Sequence, residues 1–163
     1  MLDAIVTYLQ QFPPVISTII LASLPITELR LAIPVAMNVW LISPYNAFGL
    51  ALIGNFIPFF PLFFGLRFIR RFAVNHWPWM LQVVDTQLER AQKKVEKKYA
   101  RYGAFALFLF TALPLPLTGL WMATIAAVAL KIPFKYAVAG IGLGIITAGL
   151  IVTGFTLSAE VWF

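Results

Sequence analysis

The sequence predicts an all-α polytopic membrane protein that forms a single domain over residues 1–163. In the predicted architecture, a re-entrant helical hairpin plus a transmembrane helix occurs twice as an inverted repeat, joined by a basic amphipathic helix. Apolar residues make up 61% of the chain and charged residues 11%, against roughly 45–50% and about 25% in soluble domains. Two long stretches carry no charge, and prolines break the other apolar stretches. A soluble chain of this length could not bury so much apolar surface.

Residues 1–14 form the first predicted element, a helix that lies at the membrane interface. Asp3 is the only charged residue before Glu28. A secretory signal needs positive charge ahead of its apolar core. We therefore expect this segment to remain in the mature protein.

The two uncharged stretches, residues 45–66 and 136–159, are each long enough to cross a bilayer. At about 1.5 Å per helical residue, both exceed a hydrocarbon thickness of about 30 Å. We predict transmembrane helices over residues 45–71 and 134–159. Gly140 and Gly144 have the spacing that lets helices pack closely in lipid.

Two further apolar regions, residues 15–43 and 103–132, are broken near their middles. The arms on either side of each break are long enough for only half a bilayer. Each region is therefore either a bent spanning helix or a re-entrant hairpin that leaves by the side it entered. The predicted helix-breaking turns are Pro25, Pro34, Pro114, Pro116 and Gly119.

Positive charge favours the re-entrant alternative. If both broken regions are hairpins, every basic residue except Arg30 lies on one side, which the positive-inside rule makes the cytoplasm. We then expect residues 67–101 in the cytoplasm and both termini on the outer side. The residues on the cytoplasmic side would be Arg67, Arg70, Arg71, Arg90, Lys93, Lys94, Lys97, Lys98, Arg101, Lys131 and Lys135.

The two halves of the chain also resemble each other. The string LPITELRLAIP begins at Leu24, and LPLPLTGLWMA begins at Leu113. Pro25 precedes Pro44 by the same nineteen residues that separate Pro114 from Pro133. With one span between the hairpins, the halves enter from opposite faces. Many secondary transporters follow this inverted-repeat plan, with sites at the membrane midplane.

Residues 72–102 connect the halves and form the predicted amphipathic helix. Apolar residues recur there at spacings of three and four, and basic residues cover the rest, with Glu89 and Lys93 at a supportive i,i+4 spacing. Trp77 and Trp79 lie where an interfacial aromatic belt is expected. The helix is predicted to lie on the cytoplasmic surface near anionic headgroups; a coiled-coil or partner-docking role is the alternative.

Glu28 and Arg30 are the only ionisable residues predicted at membrane depth. Charges there are costly and usually mark function. A carboxyl group removed from water takes up a proton more readily, so Glu28 is the candidate proton-coupling residue. The Arg30 guanidinium suits a phosphate or carboxylate of a substrate. The alternative is a structural ion pair that locks the turn.

Other polar residues at membrane depth complete the candidate site. We predict that Thr27, Asn38, Asn55, Thr111 and Thr118 contribute to substrate binding. Asn38 and Asn55 are expected to be buried amides, for which interhelical hydrogen bonds are favoured over contacts to a ligand. With no cysteine and a single histidine, His76, the chain offers no metal site, and we expect no cofactor. No nucleophile–base set or phosphate loop is present, so an enzyme is not expected. The basic charge is explained by topology, so nucleic acid is not an expected partner.

The string PITELRLAIPVA around Glu28 and Arg30 resembles the family of small multidrug export proteins, prokaryotic membrane proteins related to the DedA superfamily. RYGAFALFLFTALPLPLTG and the glycine-rich last span extend the resemblance over most of the chain. It implies paired re-entrant hairpins and proton-dependent transport of drugs, phospholipids or polyprenyl-phosphate carriers. Glu28 matches the acidic position of the first hairpin, whereas the arginines of the DedA signature are missing from residues 113–119.

Together these observations predict a DedA-like, proton-coupled transporter in the prokaryotic inner membrane. Its expected substrate is amphipathic or lipid-like, phosphate-bearing molecules included. Membrane lipids and protons are the other expected partners, and a homodimer is expected because one chain encloses little volume. The alternatives are a passive lipid scramblase and a non-transporting membrane scaffold that acts through its basic helix.

Overall fold

The computed structural model describes residues 2–76, 96–113 and 119–162 of the chain, and this part is helical without any strand. The all-α class predicted from the sequence is therefore confirmed for these residues. Within them, the helices are α1 Leu2–Leu9, α2 Pro14–Ser23, α3 Glu28–Asn38, α4 Pro44–Phe56, α5 Phe59–His76, α6 Glu96–Ala112, α7 Leu120–Ala129 and α8 Phe134–Trp162.

α2 and α3 form the first helical hairpin. Pro14 starts α2, where its fixed φ and missing N–H are tolerated. The turn lies between Ser23 and Glu28, and Glu28 has a φ of 47°, in the left-handed region. The arms have 10 and 11 residues, or about 15 Å each, half the thickness of a bilayer.

α6 and α7 form the second hairpin, and its two ends lie side by side. A Cβ placed on Gly103 in α6 would lie 2.9 Å from Cδ1 of Ile132, which follows α7. α6 begins at Glu96 and passes through Tyr102, the last residue of the predicted connecting helix, without a break. No proline interrupts this stretch, so the change from charged to apolar residues alters the surroundings of the helix but not its backbone.

The first predicted span is two helices with a break at Ile57 and Pro58. Pro58 cannot donate the backbone hydrogen bond that would continue α4. Despite this break, Pro44–Ile69 has the length and apolar composition of a membrane span, as does Phe134–Ala159 in the unbroken helix α8.

Each hairpin packs on the span of its own half through its first arm, α2 on α4 and α6 on α8. The second arms contact both spans: α3 contacts α4 and α8, and α7 contacts α5 and α8. Small side chains let these helices approach closely. Those that are completely buried are Ala22, Ala32, Ala36, Ala47, Ala51, Ala123, Ala127 and Ala137.

The outward surface of the described helices is strongly apolar. Phe68 is 72% exposed, Leu150 60% and Phe155 71%, and each belongs to one of the two long apolar helices. A water-soluble monomer rarely exposes continuous apolar surface of this kind. Such a surface is typical of a membrane protein, in which it contacts lipid.

Candidate functional site

The turn of the first hairpin meets the broken ends of the second. Glu28 is only 6% exposed, and its carboxylate accepts hydrogen bonds from the backbone N–H groups of Leu120 and Trp121. These are the first two residues of α7. Helix N-termini carry unpaired N–H groups and a partial positive charge, so the N-terminus of α7 is a natural site for a carboxylate.

Gly119 forms the wall of this carboxylate site. A Cβ placed on Gly119 would collide with both carboxylate oxygens of Glu28. Any other residue would therefore push the carboxylate away from the α7 N-terminus. The glycine is required here for close approach rather than for backbone freedom.

Arg30 binds the other broken end. Its Nη2 donates a hydrogen bond of 3.2 Å to the carbonyl oxygen of Leu113, directly after the last residue of α6. Helix C-termini carry a partial negative charge and favour cations. One turn thus places a carboxylate at a helix N-terminus and a guanidinium at a helix C-terminus. The two side chains also attract each other.

Thr27 holds the first turn in shape. Its side chain is buried, and its hydroxyl donates a hydrogen bond to the carbonyl oxygen of Leu21 in α2. This bond ties the residue before Glu28 to the arm that precedes the turn. Thr27 therefore positions Glu28, and substrate binding by Thr27 remains a prediction.

The two asparagines have opposite environments. Asn55 is buried, and neither atom of its amide has a hydrogen-bond partner among the described residues. The interhelical hydrogen bond expected for Asn55 is thus missing in this part of the structure. Asn38, the last residue of α3, is exposed and not buried as expected, and it lines a cavity of about 460 Å³.

Of the predicted residues Thr111, Pro114, Pro116 and Thr118, the structure describes only Thr111. Thr111 is buried and donates its hydroxyl to Leu107 in its own helix at 2.6 Å. It also lies against Gly144 of α8, so it belongs to a helix contact. Pro114, Pro116 and Thr118 lie outside the described residues, as do Trp77, Trp79 and the Glu89–Lys93 pair.

One predicted helix-breaking residue does not break its helix. Pro34 lies inside α3, which continues to Asn38. Its missing N–H costs one backbone bond, but buried residues on both sides, Ile33 and Ala36 among them, hold the helix in place. Pro25 does lie in a turn, as predicted. No group of three potential metal ligands occurs among the described residues.

A family model described as "Putative small multi-drug export protein" matches residues 28–151. The match begins at Glu28, directly after the first hairpin turn, and contains the second. The chain belongs to this family. No curated protein and no solved structure matches it. Membership in the small multi-drug export family, together with the two apolar spans, indicates a membrane exporter.

The partners of Glu28 in this exporter are backbone groups, which sequence reasoning did not find. The second turn offers no ionisable side chain, so it is inconspicuous beside Glu28 and Arg30. In the sequence, Gly119 was predicted only to break a helix. In the structure, its missing Cβ leaves room for the Glu28 carboxylate. The only available signal was the helix break before Leu120, which leaves the N–H groups at the start of α7 without helical partners.

Proposed function

We propose that the protein is a proton-coupled transporter of an amphipathic or lipid-like substrate with an anionic group, and that the site lies where the two hairpin turns meet. The observation that carries this proposal is the buried Glu28 carboxylate, bound to the α7 N-terminus next to Arg30. Buried charges at membrane depth usually serve transport.

The packing supports a membrane midplane location for these turns. Each hairpin arm within the apolar region is about half a bilayer long, and the contact of Gly103 with Ile132 is that of a hairpin with both ends on one side. The ring of Phe134 lies 5.3 Å from that of Phe63, over which Arg67 lies at 5.4 Å. This contact favours placing Arg67 and the start of the last span on the same side of the membrane.

Equivalent contacts in the two halves support the inverted repeat. Gly54 lies against Ile19 in the first arm of hairpin one, and Gly144 lies against Phe108 in the first arm of hairpin two. Phe108 is the residue that corresponds to Ile19 when Pro25 is aligned with Pro114, and Gly144 lies one position after Leu143, which corresponds to Gly54. The crossed contacts of α3 with α8 and of α7 with α5 follow the same symmetry.

The geometry suggests how protonation of Glu28 is coupled to the binding of an anionic group. Protonation of Glu28 removes its negative charge and weakens its bonds to Leu120 and Trp121. The freed N–H groups and the nearby Arg30 then offer a substrate phosphate or carboxylate the same site. Loss of the proton restores the carboxylate and displaces the anion. Arg30 is the charged group that acts on Glu28 within the described residues.

The remaining features are part of the same proposal. We infer a DedA-like exporter in the prokaryotic inner membrane, with residues 67–101 in the cytoplasm and a homodimer as the working form. Asn38, Asn55, Thr111 and Thr118 remain candidate substrate-binding residues. The phosphate-bearing substrates expected from the resemblance suit the pair formed by the α7 N-terminus and Arg30.

The test is transbilayer movement in proteoliposomes with and without a pH gradient. The substrates are a labelled polyprenyl phosphate, a labelled phospholipid and a cationic dye. We expect gradient-driven movement of an anionic substrate by the wild type, and movement at the level of protein-free vesicles for Glu28→Gln. The loss follows because the glutamine cannot exchange a proton at neutral pH.

Either of two outcomes would contradict the proposal and support one of the alternatives. Substrate movement that is the same with and without the pH gradient, and the same in the wild type and in Glu28→Gln, would mean passive scrambling. Function that survives Glu28→Gln but is abolished when Lys93, Lys94, Lys97 and Lys98 are neutralised would mean a scaffold. That basic segment lies largely outside the described residues, so its role rests on the sequence alone.

A further inference from the structure

A cavity of about 470 Å³ lies between α1 and α2, and no charged side chain lines it. One wall includes Ile5, Tyr8, Leu9 and Phe12, and the other is formed by Ile20 and Leu24. The Ser17 hydroxyl donates a hydrogen bond of 2.7 Å to the carbonyl oxygen of Leu9, which fixes the end of α1 beside α2. The walls are hydrocarbon except for the Tyr8 hydroxyl, so the cavity suits an apolar ligand.

The cavity reaches the first hairpin turn at Leu24. The carbonyl oxygen of Leu24 accepts a hydrogen bond of 3.0 Å from the backbone N–H of Glu28. The Glu28 carboxylate lies at the N-terminus of α7, where we propose that an anionic group binds. The apolar cavity therefore ends one hydrogen bond away from the backbone of the residue at the anion site.

The cavity is open to the surroundings of the bundle. Tyr8 is 61% exposed, Phe12 41% and Ile20 38%, and in a bilayer these side chains contact hydrocarbon. A methylene group takes up about as much volume as a water molecule, roughly 30 Å³, so the cavity accommodates about 16 methylene groups. This volume suits one acyl chain, whereas the two chains of a phospholipid or the long chain of a polyprenyl phosphate would exceed it.

We propose that this cavity holds the hydrocarbon chain of the transported substrate, and that the substrate is a single-chain lipid with an anionic headgroup. The inference rests on the proposed function, because the headgroup is the anionic group that binds where the hairpin turns meet. Lipid is as apolar as the cavity, so the cavity orients the chain and adds little affinity. The headgroup supplies the affinity through hydrogen bonds to the α7 N-terminus and Arg30.

The experiment locates the chain by photolabelling in proteoliposomes. The probes are hexadecyl phosphate with a photoactivatable group in mid-chain and the matching hexadecanol, which has the same chain without the charge. Mass spectrometry of the labelled protein identifies the residues that react. We expect hexadecyl phosphate to label residues 4–24 about tenfold more than hexadecanol, as one or two hydrogen bonds to a charged group would produce. Glu28→Gln should label at least as strongly, because its neutral side chain leaves the α7 N-terminus to the headgroup.

Ile20→Trp tests the cavity itself, because the larger side chain occupies part of its volume. We expect labelling of residues 4–24 by hexadecyl phosphate to fall to the level of hexadecanol. Ile146→Trp is the matched control and should label like the wild type, because Ile146 in α8 is 41% exposed, close to the 38% of Ile20, and does not line the cavity. The comparison of the two probes in the wild type needs no variant, so the proposal remains testable if a tryptophan disturbs folding.

Equal labelling of residues 4–24 by the two probes would overturn the proposal, since the cavity would then hold any membrane chain. Labelling that persists at the wild-type level in Ile20→Trp would overturn it as well, because the chain would lie elsewhere. The transport assay is judged separately, by the pH gradient and by Glu28→Gln. Gradient-driven transport with equal labelling would contradict only the assignment of the chain to the cavity. Gradient-independent transport with preferential labelling by hexadecyl phosphate would contradict proton coupling and support that assignment.

Discussion

Glu28 is stable inside the bundle because another part of the backbone supplies the hydrogen bonds that water would otherwise donate to its carboxylate. Its carboxylate receives two N–H groups from α7, and Arg30 provides the compensating charge nearby. Gly119 leaves the room that the carboxylate needs. The chemistry of this site therefore depends on single atoms, the missing Cβ of Gly119 among them.

Gly119→Ala should move the carboxylate off the α7 N-terminus. The added methyl group overlaps both oxygens of Glu28, and overpacking of this kind costs about 1–3 kcal/mol. We expect a lower unfolding midpoint together with reduced transport in proteoliposomes. Gly154→Ala is the matched control, because a Cβ there meets nothing within 4 Å. Unchanged stability and transport in Gly119→Ala would contradict the described contact.

Thr27→Val tests how firmly the first turn is held. The change keeps the shape of the side chain but removes the hydrogen bond to Leu21. Such bonds contribute about 0.6–1 kcal/mol in membrane proteins, so we expect a drop of roughly 2–4 °C in the unfolding midpoint. Ser23→Ala, which removes an exposed hydroxyl bonded to Ile20, should change the midpoint less. An equal drop of the unfolding midpoint in both variants would show that the Thr27 hydrogen bond does not hold the turn more firmly than an exposed hydroxyl does.

At the scale of elements, α6 and α8 form the tightest contact of the bundle through glycines. A Cβ on Gly140 would collide with the carbonyl oxygen of Ala104, and one on Gly144 would lie 2.6 Å from Thr111 Cβ. In lipid, helices associate through such close packing because the hydrophobic effect does not distinguish helix from lipid. These glycines therefore determine how the second hairpin sits on its span.

Gly140→Ala should separate α6 from α8. We expect a destabilisation of about 1–3 kcal/mol, measured as the free energy of unfolding in detergent. Gly154→Ala, in the same helix but in open space, should be neutral or gain up to about 1 kcal/mol from helix propensity. A neutral Gly140→Ala would mean that the two helices are not in contact at this level.

At the scale of the whole molecule, the charge distribution and the hairpins determine which side each connection occupies. If both hairpins are re-entrant, Ser43 and Ser158 lie on the outer side and Asn75 lies in the cytoplasm. If both hairpins crossed the bilayer, Ser43 and Ser158 would lie on opposite sides. The sidedness of these three positions therefore distinguishes the two topologies.

Single cysteines at Ser43, Asn75 and Ser158 provide the measurement, because the chain has no cysteine of its own. We expect a membrane-impermeant thiol reagent added to intact cells to label the cysteines at 43 and 158 but not the one at 75. Labelling of all three after membrane permeabilisation is the control. Labelling at 75 in intact cells would reverse the orientation, and labelling of only one of the other two would exclude paired re-entrant hairpins.

Much of the helical fold follows from local properties of the sequence. Pro25 predicts the first turn, and the uncharged stretch after Tyr45 predicts a span, because a missing backbone donor and a lack of charge act where they occur. Two predictions about single residues were wrong. Pro34 was expected to break its helix, but burial around it outweighed one lost hydrogen bond. Asn38 was expected to be buried, but it lies at the exposed end of α3.

The sequence alone thus determined that this is a helical membrane protein with proline-broken segments, and that Glu28 and Arg30 are its conspicuous charges at membrane depth. Only the tertiary structure decided what those charges bind and which asparagine is buried. Composition and backbone chemistry are properties of each segment, so they can be read along the chain. The contacts of Glu28 with Gly119 and Leu120 join distant segments, and they exist only because the packing of both hairpins brings the turns together.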